Sequence, residues 1–111
     1  MLKRANRLHK TDIEAIFKAG KFFRVPGLAI RFKKNNLELS RFGFVVSGKE
    51  LKKAVERNLV KRRAREIIRK NISDIKKGYD VLFIFSKDVK KDSFSIFAAR
   101  LTRALKDSKI I

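Results

Sequence analysis

Four basic residues recur at every fourth position of one stretch: Arg57, Lys61, Arg65 and Arg69. On an α-helix that spacing makes a single stripe, with Asn58 and Arg62 beside it. Between Lys52 and Lys70, nine Lys or Arg stand against two Glu, a local net charge of +7. A solvated face that keeps a protein soluble is the ordinary meaning of such a run. Solubility favours mixed signs, however, and like charges four apart cost roughly a few tenths of a kcal/mol per pair. Keeping four cations in register favours a phosphate backbone opposite them. The planar fork of arginine grips phosphate oxygens or a base edge, and stacks on bases. Asn58 carries the donor and acceptor needed to read a base or a 2′-hydroxyl. Its simpler reading is a solvated polar residue.

The whole chain repeats this bias. Its 111 residues hold 30 Lys and Arg against 11 Asp and Glu, a formal net charge of +19. A fold with that charge repels itself unless a polyanion neutralises it. Nucleic acid is the first candidate and an anionic membrane surface the second. Catalytic groups are scarce. There is no Cys, which excludes disulfides, zinc fingers and thiol nucleophiles and suits a reducing cytoplasm. The one histidine, His9, has no carboxylate or nucleophile placed beside it and reads as a solvated residue or a phosphate neighbour. The acids are dispersed, and no glycine loop for phosphate is present. No apolar run approaches a membrane span. The basic opening, Met1 through Leu8, has no apolar stretch behind it and does not read as a secretory signal.

The stripe needs a scaffold, and the length suits one domain over residues 1–111. Thr11 and Glu14 read as a capping box, with Ile13, Ile16 and Phe17 at helical spacing and Gly20 as the stop. The expectation is a helix over 12–19. Residues 22–25 read as an extended piece broken by Pro26-Gly27. Residues 28–32 form a strand, 33–36 a turn, and 41–47 the second strand of that hairpin, with Phe42, Phe44 and Val46 on one face. Residues 51–71 form the striped helix, whose apolar side holds Val60, Ala64, Ile67, Ile68 and Asn71. Lys76-Lys77-Gly78 is a turn, and 79–85 a nearly continuous apolar strand, central in its sheet. Residues 87–91 form a polar loop, and Asp92 or Ser93 caps a last helix striped by Phe94, Phe97, Leu101 and Leu105. The class is α+β, a two-layer sandwich. Phe42, Phe44, Phe83, Phe85, Phe94 and Phe97 sit at core periodicity. Phe17 either packs its helix on the sheet, the simpler reading, or stands partly open as a stacking platform.

Ala54-Val55-Glu56-Arg57-Asn58-Leu59-Val60-Lys61-Arg62-Arg63-Ala64-Arg65-Glu66 resembles the signature helix of the bacterial ribonuclease P protein family. Ala54, Val55, Arg57, Asn58, Lys61, Arg62 and Arg65 match the family pattern. Leu59 departs from it, standing where the family usually has Arg. Asn6-Arg7-Leu8, followed by Ile13, Phe17 and Gly20, is similar to the family's opening, and Phe42-Gly43-Phe44-Val45-Val46-Ser47 to one of its strands.

The resemblance implies an αβββαβα sandwich with a mostly antiparallel sheet and a left-handed βαβ crossover, an exception to the usual handedness. It implies a cytoplasmic protein cofactor of an endoribonuclease that removes the 5′ leader from precursor transfer RNA. The RNA subunit would carry out hydrolysis with Mg²⁺, and this chain would carry neither a catalytic residue nor a metal motif. One protein would bind one catalytic RNA through Arg57, Asn58, Lys61, Arg62 and Arg65, with Lys53 and Arg69 extending the set. Ile13, Phe17 and Arg31 fall where the family lines its leader cleft, and Ile13 and Arg31 stand where aromatics are common. A structural RNA-binding protein of ribosomal type shares the charge but would not stimulate cleavage. A stand-alone nuclease lacks its carboxylates here, and a membrane binder fits a folded α+β pattern poorly.

Overall fold

The structure is a computed structural model that describes residues 4–110, so Met1, Leu2 and Lys3 of the basic opening lie outside it. In chain order come α1 (Lys10–Ala19), β1 (Lys21–Val25), β2 (Leu28–Lys34), β3 (Arg41–Val46), α2 (Ala54–Asn71), β4 (Tyr79–Phe85) and α3 (Phe94–Asp107). The αβββαβα order is the one expected.

The sheet runs β1-β2-β4-β3. β1 and β2 are antiparallel, as are β2 and β4, while β3 runs parallel to β4. This corrects one expectation: β2 and β3 are not a hairpin. β2 spends one edge on β1 and the other on β4, and β3 reaches the sheet through β4 alone. Parallel neighbours need a long crossover, and α2 supplies it. The true hairpin is β1–β2, joined by Pro26-Gly27. Gly27 has φ +80°, the left-handed value that the third position of a type II turn requires after proline. Arg100 of α3 pins this turn by donating from Nη1 to the Pro26 carbonyl at 2.6 Å.

Alternation along the strands divides the sheet into two faces. Ile30, Phe42, Val46, Val81, Phe83 and Phe85 turn to one side and meet Val60, Ala64, Ile67 and Ile68 of α2 and Phe97, Leu101, Ala104 and Leu105 of α3. Five phenylalanine rings, Phe42, Phe44, Phe83, Phe85 and Phe97, stack along this core, with the shortest centroid distances, 5.4 Å, between Phe44 and Phe83 and between Phe85 and Phe97. Phe94 is not part of it: it lies 43% exposed. It is the first residue of α3, where Ser93 caps by accepting from the Ile96 N–H, and there the helix has not yet reached the sheet.

The other face carries α1, whose buried Ile16 sits over it. The helix begins two residues earlier than expected. Its N-cap is His9, and Asp12, rather than Glu14, reaches back to accept from the His9 N–H at 3.0 Å. Asp12 also accepts from Arg41, so the cap is tied to β3. Gly43 lies under the chain entering α1. A Cβ there would stand 3.1 Å from Leu82 Cδ1 and 3.2 Å from Leu8 Cδ1. Gly43→Ala therefore overpacks this layer and should lower stability by about 1 kcal/mol, read by urea titration. An unchanged midpoint would mean that Leu8 moves aside freely.

Candidate nucleic-acid interface

Two surfaces stand out. The first is α2. A step of four residues on an α-helix advances roughly 40° beyond a full turn, so the basic row winds around the helix. It begins on the flank of the core and ends in solvent. Arg57, Lys61 and Arg65 are half-buried, while Asn58, Arg62 and Arg69 are exposed. Position decides what each can do. Arg57 Nη1 donates to the Leu51 and Lys52 carbonyls at 2.7 and 2.9 Å, clamping the segment that leads into the helix. Arg69 Nη2 donates to Glu66 at 2.6 Å. That hydrogen bond holds the Glu66 carboxyl below its ordinary range, so Glu66 stays anionic and offsets Arg69. Lys53, Lys61, Arg62 and Arg65 have no carboxylate within salt-bridge distance among the described residues. The single expected row is thus not uniform: Arg57 keeps its charge but is held by two carbonyls, Lys61 and Arg65 are free cations, and Arg69 is a neutralised end.

The second surface lies where α1 ends against β1 and β2. Arg31 of β2 is held between two rings, its guanidinium 5.2 Å from the Phe17 centroid and 5.1 Å from that of Phe22. Arg24 covers Phe22 at 5.4 Å. The result is a ladder of Phe17, Arg31, Phe22 and Arg24, in which a ring alternates with a cation. Phe17 is 45% and Phe22 47% exposed, so each keeps much of its ring in solvent. Arg31 Nη1 donates to the Phe17 carbonyl at 3.4 Å. Its Nε is buried without a hydrogen-bond partner among the described residues.

Beyond this ladder α1 leaves the sheet uncovered. Ala29, Val45 and Ile84 floor a cleft of about 760 Å³, with Arg24 on one rim and Ser47 and Glu50 on the other. That second rim leads directly into α2. Ile16, not Phe17, is the α1 residue sunk into the sheet, and Ile13 is half-buried beside it. Phe17 is thereby the open ring rather than the packed one. Ile13, Phe17 and Arg31 lie on the α1 side of the sheet.

The sequence reading missed Phe22 and Arg24. Their signal was register: alternate residues of β1 point the same way, and Phe22 pairs with Arg31.

These features define a class: a strongly basic α+β domain, with a cationic crossover helix on one side of its sheet and an aromatic–arginine cleft on the other. The family model described as Ribonuclease P matches residues 2–109. The ribonuclease P protein component of Fusobacterium nucleatum is 39% identical over 112 aligned residues, covering 96% of this chain and 99% of that protein. The Thermotoga maritima component is 40% identical over 75% of this chain and 70% of that one. Among solved structures, the Thermotoga maritima RNase P protein superposes with a TM-score of 0.84 at 36% identity, covering 91% and 96% of the two chains. A Staphylococcus aureus RNase P protein mutant gives 0.91 at 27% identity, covering 97% and 92%.

The chain belongs to the ribonuclease P protein family. It is a protein component of a ribonucleoprotein endoribonuclease of transfer-RNA processing, and its family partner is an RNA. No helix among the described residues is long and apolar enough to cross a membrane.

Proposed function

We propose that this protein is a non-catalytic cofactor that binds the catalytic RNA through α2 and the 5′ leader of precursor transfer RNA through the α1-side cleft. Free cations over 53–65 meet phosphates of the catalytic RNA. The Phe17–Arg31–Phe22 ladder offers rings to unpaired bases and a cation to the leader backbone. Two surfaces on one small fold would tether the precursor beside the catalytic RNA and lower the repulsion between them. Both effects reduce the Mg²⁺ needed for cleavage. That ion belongs to the RNA in this scheme. One protein per RNA and a cytoplasmic setting complete the proposal.

The observation that carries it is the ladder: two half-exposed rings with an arginine fixed between them, beside an open cleft. Reconstitution tests it. The protein, the ribonuclease P RNA of its own organism and a 5′-extended precursor are combined at low Mg²⁺. Accurate leader removal should require both macromolecules. Tight RNA binding with no effect on cleavage would leave a structural RNA-binding domain instead. Phe17→Ala should weaken precursor affinity about tenfold, the loss expected for one stacked base, and leave assembly with the catalytic RNA intact. Equal loss in both assays would sink the two-surface scheme.

A further inference from the structure

Aromatic rings and cations meet at a second place, on the face opposite α1. Phe32 and Tyr79 come from β2 and β4 and alternate with Arg31 and Asp80, which turn towards α1. At this end of the sheet α2 and α3 cover them only in part. Their rings meet edge to face, with centroids 6.2 Å apart and planes at 63°. With Phe23 of β1 and the turn after α3, they line a groove of about 530 Å³. Small-molecule sites run from roughly 300 to 1,000 Å³. The groove is firmly built: Lys76 N–H donates to the Ile110 carbonyl at 2.7 Å, and Ile110 N–H to that of Leu105 at 3.0 Å.

The charge around it is one-sided. Lys21, Lys34, Lys76 and Lys109 line the groove, all exposed, and none has a carboxylate within salt-bridge distance among the described residues. The one lining carboxylate, Asp107, already accepts from Arg103 at 3.4 Å. Uncompensated lysines around a partly open aromatic floor suit a ligand that is both anionic and flat. An acidic peptide satisfies the cations but leaves the rings unused. A single-stranded nucleic acid uses both.

We infer that this groove is a second subsite for unpaired RNA, which takes a base against Phe32 and Tyr79 and its phosphates on the surrounding lysines. Its rings lie on the opposite face of the sheet from the α1-side ladder, the two sites share only Phe22 of the edge strand, and the subsite stands whether or not that ladder holds the leader.

The chain contains its own reporter. Tyr79 is the sole tyrosine and there is no tryptophan, so tyrosine emission comes from this groove alone. A 5′-phosphorylated uridine trinucleotide is titrated into the full chain, with correction for absorbance by the probe. Saturable quenching that weakens with salt is expected. Lys34→Glu combined with Lys109→Glu should raise the half-saturating concentration about tenfold or more. Phe17→Ala should change it less than about twofold, since distant sites act independently. A circular-dichroism melt checks that the reversal variant folds, and Lys21→Glu replaces it if it does not.

Absence of saturable quenching would overturn the inference. So would quenching that Phe17→Ala abolishes and the lysine reversal spares. Equal quenching by a glutamate hexapeptide would assign the groove to an acidic protein instead of RNA.

Discussion

Arg41→Ala should destabilise the fold by about 3–5 kcal/mol, because it strands a buried carboxylate. Asp80 on the central strand is 1% exposed. Arg41 Nη2 and Nε donate to it at 2.7 and 2.9 Å, and Asn35 Nδ2 adds a third bond at 2.9 Å. These bonds raise the Arg41 pKa above its ordinary value, against the opposing effect of burial. Removing the guanidinium leaves the Asp80 charge with a single neutral donor. It also frees Asp12, which caps α1 and accepts from the same arginine at 3.3 Å. For a domain of this size the thermal midpoint should fall by roughly 12 °C or more. Arg41→Met combined with Asp80→Asn removes both charges together and should recover much of the loss, as buried pairs replaced as a unit usually do. A midpoint within about 2 °C of the parent for Arg41→Ala would show that water or neighbouring donors take over from the guanidinium without cost.

Salt should act on the RNA complex with comparable force. If the five cations Lys53, Arg57, Lys61, Arg62 and Arg65 each neutralise a phosphate, affinity falls by about two to three decades between roughly 50 and 200 mM salt. Lys61→Ala with Arg65→Ala should lower the slope of log affinity against log salt by about two. Arg69→Ala should leave the slope nearly unchanged, because Glu66 already holds that guanidinium. Filter binding or anisotropy across a salt series measures all three. A slope change for Arg69→Ala as large as half that of the double variant would remove the distinction between free and neutralised cations.

That distinction shows where sequence reading stops. The helix carrying the row was legible, since residues 51–71 lack Gly and Pro, and 54–71 are helical. The apolar side was legible too: Val60, Ala64, Ile67 and Ile68 are its buried residues. The drift of the row away from the core was not read from spacing alone, so Arg57 and Arg69 looked equivalent. β4 was correctly placed as central from its continuous apolar run. The β2–β3 hairpin was misread because consecutive strands usually pair, and local sequence does not encode that β4 comes between them. Thr11 was a better cap by residue type than His9. A tertiary contact overrode that preference, since Asp12 reaches the His9 N–H and Arg41 together. Phe22 carried no signal along its own strand, and its role appears only when the hairpin brings Arg31 beside it.

The strand order has a consequence for synthesis. β4 joins the β1–β2 hairpin to β3, yet it comes after both, and after α2, in the chain. A nascent chain that stops at Gly78 has no strand with which to unite those halves. Until β4 leaves the ribosome, the apolar side of α2 has no completed sheet to cover it. The polycationic helix is therefore made before the platform that holds it, in the company of the most abundant RNA in the cell. Sheet closure is a long-range event, slow relative to local helix formation. The interval between α2 and β4 is then the period in which this protein is most open to the wrong polyanion.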